Sequence, residues 1–262
     1  MSPDGQARPR PLRAGPGRLT FSRVQPTSIV AARGALLAAV AVALAAPAAA
    51  QAQLTYVAVG ESTATGVGAQ GGGYPPRLAR RLEASGVPVR LLNLAAAGAT
   101  VADVRRDQLP RALGAAPQLL TIGIGLNDLA RGRSLRDFSK DLQVMADLLH
   151  RTKAVVVISN LPDLSLAPPA AGRAPDVGKR IEQYNAAIET VAARYGFVLA
   201  DVWGASRAAV RAAGPGGFFA ADGLHPSADG YERWADVLAP AAERALAARE
   251  QARRGAAAPP KP

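Results

Sequence analysis

The stretch Leu54-Thr55-Tyr56-Val57-Ala58-Val59-Gly60-Glu61-Ser62 opens the folded part of the chain. Its apolar run reads as a strand, and Gly60-Glu61-Ser62 reads as the turn that leaves it. Comparable runs recur at 87–95, 118–125, 153–160 and 197–202. Between them the apolar spacing changes to a helical period at 75–84, 101–113, Leu135–His150 and Val177–Tyr195. A short helix is expected near 205–212, and a last one from about 227 to 249. Pro110 is expected to kink or divide the helix at 101–113. Strands separated by helices of this length specify a parallel sheet covered on both faces, an α/β fold in three α/β/α layers with five strands. In such folds ligands sit beyond the carboxyl ends of the strands. Ser62, Gly98, Asn127 and Asn160 follow the first four strands, and His225 lies in a loop between the fifth strand and the last helix.

The chain has 262 residues, enough for one medium domain with a full core, and 49% of them are hydrophobic. The first part is different in kind. Residues 1–27 are rich in Pro, Gly, Ser and Arg, then Arg33 precedes an apolar run at 34–46 and the small residues Ala48-Ala49-Ala50. A basic flank, a short apolar core and small residues at its end form an export-signal pattern, with cleavage expected after Ala50 or Ala52. An uncleaved N-terminal anchor is the alternative. The expected division is a leader at 1–52, a catalytic-sized domain at 53–249 and a disordered tail at 250–262. The chain contains no cysteine, which removes disulfides, thiolate metal sites and cysteine nucleophiles. A secreted or periplasmic protein with a large enough core fits that absence.

The formal charge is +11, from 31 basic and 20 acidic residues. Six basic residues and one acidic residue fall in 1–50, so the remainder carries 25 minus 19, or +6. No basic groove interleaved with aromatics is visible, which argues against nucleic acid as a partner. Peripheral contact with anionic envelope polymers or lipid headgroups is compatible with the charge. No metal motif and no dinucleotide or phosphate loop is present; Gly71-Gly72-Gly73 lacks the Lys-Ser/Thr that a phosphate loop needs. No cofactor is expected.

The chain has two histidines. His150 ends a helix, where the dipole favours it without any catalytic role. His225 lies in Asp222-Gly223-Leu224-His225-Pro226. A glycine-containing turn allows the Asp222 carboxylate to fold back beneath the ring, where it would fix the tautomer. Ser62, at a strand-to-helix turn, is either a helix cap or a hydroxyl presented to a substrate. A serine, a histidine and an acid together support acyl transfer.

Gly60-Glu61-Ser62-Thr63, Gly98, Gly125-Leu126-Asn127-Asp128 and Asp222-Gly223-Leu224-His225-Pro226 resemble the four sequence blocks of the SGNH, or GDSL-type, hydrolases. The order and spacing match over roughly 54–245. The resemblance implies a flavodoxin-like domain and hydrolysis of carboxylic esters. It also implies Ser62 as nucleophile, His225 as base and Asp222 as its orienting acid. The oxyanion hole would be formed by the N–H groups of Ser62 and Gly98 and the side-chain amide of Asn127. One departure stands beside the nucleophile: Glu61 replaces the family's usual Asp, which orients the turn there.

The expected substrate is a small-molecule, lipid or carbohydrate ester: a short or medium acyl ester, a lysophospholipid or an acetylated sugar, with thioesters chemically close. The loop 161–178, with four prolines, is expected to shape the substrate site. Phe218 and Phe219 are candidates for an acyl-binding wall or for core packing. Asn93 is expected to make a structural bond and Tyr184 to pack at the core edge. The alternative to an enzyme is an inactive protein of the same fold that binds envelope carbohydrate, a reading that Glu61 keeps open.

Overall fold

The computed structural model describes residues 53–167 and 176–257. The leader, its expected cleavage points and residues 168–175 of the proline-containing loop lie outside the described residues.

The first strand, β1 (Leu54–Gly60), is followed by a single helical turn, α1 (Ser62–Thr65), and by α2 (Tyr74–Ala84). After β2 (Val89–Asn93) the chain forms α3 (Val101–Asp103), a π-helical segment (Val104–Gln108) and α4 (Leu109–Gly114) without interruption. Then come β3 (Leu119–Gly123), α5 (Leu126–Ala130), α6 (Leu135–His150), β4 (Val155–Ser159) and α7 (Val177–Tyr195). The chain closes with β5 (Val198–Ala200), α8 (Val202–Ala213) and α9 (Ala228–Ala257).

All strand pairs are parallel, in the order β2-β1-β3-β4-β5. Every residue of β3 and β4 is buried, as their Val, Ile and Leu content requires of strands covered on both faces. One helical layer joins α2, α8 and α9; the other joins α3, α6 and α7. The strand order reverses between β1 and β3, because the chain goes out to β2 and returns on the other side of β1. The two turns that leave β1 and β3 therefore diverge and open a crevice at their carboxyl ends, the usual ligand position in open α/β sheets.

Several boundaries differ from those expected. β1 has the bounds read for it, Leu54–Gly60, but the later strands are shorter than the apolar runs, because residues such as Ile124 stay buried past the end of the ladder without pairing in it. The segment after Ser62 begins with the turn α1, whose C-cap Gly66 sends its N–H back to the Ser62 carbonyl. The helix divided by Pro110 is not cut; its hydrogen-bond pattern widens into the π segment immediately before the proline, whose ring nitrogen has no N–H to give. The tail expected to be disordered from 250 is helical to Ala257. Alanine-rich sequence and an Arg254–Glu250 pair one turn apart extend α9 there. No helix among the described residues is long and apolar enough to cross a membrane.

Candidate active site

Gly60 ends β1 with a φ of 148°, a conformation that glycine alone adopts without strain. Its N–H and carbonyl face the side where β2 has already stopped. The side chain of Gln108 fills that gap: its Oε1 accepts from the Gly60 N–H at 2.8 Å, and its Nε2 donates to the Gly60 carbonyl at 2.9 Å. Gln108 is buried, and the Gly60 carbonyl also accepts the Ala96 N–H at 3.2 Å, so this amide and the chain just past β2 together satisfy the end of β1. The π segment puts Gln108 there. Sequence reasoning missed it, since a glutamine in a helical stretch carries no local mark of a partner 48 residues away.

Ser62 is the first residue of α1 and is 8% exposed. Its Oγ lies 3.0 Å from Nε2 of His225. The other ring nitrogen, Nδ1, lies 2.7 Å from Oδ2 of Asp222. A carboxylate only accepts, so Nδ1 carries the proton and Nε2 presents its lone pair to the serine hydroxyl. The remaining Asp222 oxygen, Oδ1, accepts the N–H groups of Leu224 and His225, both at 2.9 Å. Burial raises the Asp222 carboxyl, but the bonds from Leu224 N–H, the His225 ring and His225 N–H outweigh it and leave it below its ordinary value. Asp222 is thus an anion at neutral pH. Ser227 follows this turn and accepts the Gly230 N–H at 3.1 Å, which starts α9.

Gly98 and Asn127 come to the same crevice. A cavity of about 270 Å³ is lined by Ser62, Gly98, Asn127 and His225, with Val67, Leu126 and Leu224 around them. Asn127 is the second residue of α5, so its side chain projects from a helix start and not from a strand end. Glu61, the irregular neighbour of Ser62, points away from solvent and is 1% exposed. Asp128 is buried too. It accepts the Val101 N–H at 3.0 Å and pairs with Arg133 at 2.9 Å, which ties α5 to α3.

Other polar candidates are structural. Asn160, at the end of β4, donates to Asp201 at 2.9 Å and accepts from the Trp203 N–H at 2.8 Å, away from Ser62. Asn93 donates to the Ala64 carbonyl at 2.8 Å, fastening α1 to the end of β2. Tyr184 stacks on Phe138 and donates to the Arg133 carbonyl. His150 meets the Tyr195 carbonyl. Phe218 and Phe219 are buried against each other, and Phe218 also stacks on Trp234; neither lines the cavity, so the core reading holds and the acyl-wall reading does not. Instead the apolar wall comes from α5 and its neighbours. A second cavity of about 230 Å³ adjoins the first through Leu126, Ala130 and Leu224 and continues past Leu129, Leu164 and Val177 to Arg180.

The hydrogen-bonded line Asp222–His225–Ser62 thus opens into a crevice at the switch point of a parallel sheet. Residues 58–233 match the GDSL-like lipase/acylhydrolase family, and the chain belongs to that family of carboxylic ester hydrolases. Among solved structures it is similar to TesA, with 25% identity and a TM-score of 0.60 over 73% of this chain and 99% of that one. It is also similar to the acetylxylan esterase Axe2 from Geobacillus stearothermophilus, at 18% identity and a TM-score of 0.60, covering 74% and 94% of the two chains. A family 3 carbohydrate esterase from Clostridium thermocellum gives 18% identity and a TM-score of 0.60, with 75% and 98% covered. At 18% identity these last two likenesses speak for the fold alone. No curated protein sequence matches the chain.

Asp222→Asn tests how much the anion contributes. Its side chain is 44% exposed, so water partly replaces it, and an asparagine keeps some of the turn. The expected loss in kcat is on the order of 10²- to 10³-fold, smaller than for a fully buried triad acid. Steady-state kinetics on a p-nitrophenyl ester read this directly; a loss under threefold would mean that Asp222 does not orient the base.

Proposed function

We propose that the chain is an exported serine esterase that works through an acyl-enzyme. The observation that carries this reading is the continuous hydrogen-bonded line from Asp222 through His225 to Ser62, ending at a cavity. In the proposed cycle His225 takes the Ser62 proton as Oγ attacks the acyl carbonyl. The N–H groups of Ser62 and Gly98 and the amide of Asn127 receive the negative charge on oxygen. The imidazolium returns the proton to the leaving alcohol. Water then repeats the sequence on the acyl-enzyme and frees the acid.

The two adjoining apolar cavities favour an acyl chain of short to medium length over a bare acetyl group, with the chain lying along Leu126, Ala130, Leu224 and Leu164. Burying one methylene contributes about 0.8 kcal/mol, or roughly fourfold in kcat/KM. A series of p-nitrophenyl acetate, butyrate, hexanoate and octanoate is therefore expected to climb by up to about fourfold per methylene before it levels off. Acetylated xylose and a lysophospholipid complete the panel. A maximum at acetate would sink the acyl-channel reading and favour acetylated carbohydrate. Failure of a fluorophosphonate probe to label folded wild-type protein would favour the carbohydrate-binding reading over any hydrolase. Export is proposed on the leader sequence alone, and N-terminal sequencing of the mature protein checks cleavage after Ala50 or Ala52.

A further inference from the structure

Glu61 is a buried carboxylate beside the nucleophile, and its side chain reaches the opposite wall of the site. It precedes the nucleophile, yet its side chain crosses to the turn that leaves β3. There Oε1 accepts the Leu126 N–H at 3.0 Å, and Oε2 accepts the Asn127 N–H at 3.0 Å. Oε2 also accepts the side-chain amide of the same Asn127. The residue before α5 is Gly125, which has no side chain to cap the helix, so Glu61 caps it from another element.

An amide nitrogen has two protons. With one of them held by Oε2, and the Asn127 backbone held by the same oxygen, the Asn127 side chain has little freedom to rotate. The second proton is left for the cavity that Asn127 lines together with Ser62 and Gly98. We propose that Glu61 is a positioning residue that aims the Asn127 amide at the oxyanion, and that it does so only as a carboxylate. This rests on the esterase reading above.

The charge requirement follows from the bonds themselves. Three N–H groups converge on the two Glu61 oxygens, and each of these bonds is strong because its acceptor is an anion; a proton on the carboxyl removes the charge that holds the Asn127 amide in place. Burial pushes the Glu61 carboxyl up to about 7, against the lowering effect of the N–H groups of Asn127 and Leu126. The titratable groups around it are Asp128 on α5, which raises it further, Tyr74 on α2 and Tyr231 on α9. Asp128 is itself held by Arg133. The carboxylate form is thus lost as the pH falls through about 7, and an oxyanion donor goes with it. The rate should then carry a fall centred near pH 7 that belongs to Glu61.

The test uses the whole mature chain. Glu61→Gln is expected to lower kcat about 10²-fold, the usual cost of one oxyanion donor, with KM moving far less. Its pH profile should lose the fall that Glu61 contributes near 7. Glu61→Asp, which keeps the charge on a shorter arm, should stay within about tenfold of wild type. In an Asn127→Ala background, Glu61→Gln should cost nothing further, since the residue it positions is gone. Additive losses in that double variant would overturn the proposal. Should Glu61→Gln fail to fold, the wild type still decides. Its Asn127 side-chain ¹H–¹⁵N resonances should shift with a midpoint near 7. An amide that does not titrate refutes the charge requirement. This spectroscopic readout is independent of turnover, so a Ser62→Ala protein as active as wild type would sink the esterase reading while leaving the clamp to be judged separately.

Discussion

Ser62→Ala is expected to lower kcat on p-nitrophenyl butyrate by on the order of 10⁵-fold while leaving the fold intact. The reasoning starts from what the side chain touches. Its Oγ meets Nε2 of His225 and carries the attacking lone pair, and alanine removes both. The backbone N–H of residue 62 is retained, so the oxyanion donors survive, and residual catalysis well above the uncatalysed rate should remain. Stability should change by less than about 1 kcal/mol, because a small polar group at the crevice is lost without opening a core cavity. A fluorophosphonate probe should label wild type and not the variant. If the variant retains a tenth of the activity, the nucleophile is elsewhere and the mechanism proposed here is wrong.

Gly60→Ala is expected to be severely destabilising. A Cβ at that position would lie 2.2 Å from the Gly123 carbonyl oxygen, at a φ of 148°. That oxygen belongs to β3, the central strand, and also accepts the Glu61 N–H at 3.2 Å, so it cannot swing aside. Moving it would also disturb the register of β1 with β3 and the two hydrogen bonds, one accepted and one donated, between Gln108 and Gly60. The expected cost exceeds about 4 kcal/mol, the range reserved for severe backbone strain and overlap. In a chain of this size that lowers Tm by about 10 °C or more. Gly86→Ala serves as the control. Its φ is 85°, but a Cβ there meets nothing within 4 Å. Strain alone should cost about 1–2 kcal/mol. Equal melting shifts for the two variants in a thermal scan would mean that the overlap at Gly60 relaxes.

The sheet was legible because β3 and β4 are written in branched apolar residues that leave no other reading, and because helices with a clear 3.6-residue period separate them. Helix α6 has the bounds its spacing predicts, Leu135–His150, and α7 likewise runs Val177–Tyr195. The spacing of Asp222 and His225 was readable as a turn, since only three positions separate them. What was not readable depends on how elements cross. Gln108 looks like any polar helical residue until the π segment turns it toward Gly60. Glu61 looked like an irregular neighbour of the nucleophile, and its partners lie 65 and 66 positions downstream. Asn160 shows the converse. It stands at a strand end, as Asn127 nearly does, but β4 is not at the switch point, and its amide is spent on Asp201 and Trp203. Phe218 and Phe219 sit next to the histidine turn in sequence, yet packing with Trp234 takes them inward. Position along a strand suggests a site; the side of the reversal on which the strand lies decides it.

Ser62 and His225 stand 163 positions apart, one at the close of the first strand and the other at the approach to the last helix. Synthesis runs from the first of these to the second. Under the proposed mechanism a growing chain therefore displays its hydroxyl long before His225 exists to accept its proton, and a message truncated anywhere upstream of Asp222 encodes a silent protein however well its sheet assembles. Ester cleavage by that mechanism is a completion signal. It begins when the final segment seats, so a turnover assay run during refolding keeps time for the C terminus, while fluorescence or circular dichroism keeps time for the rest.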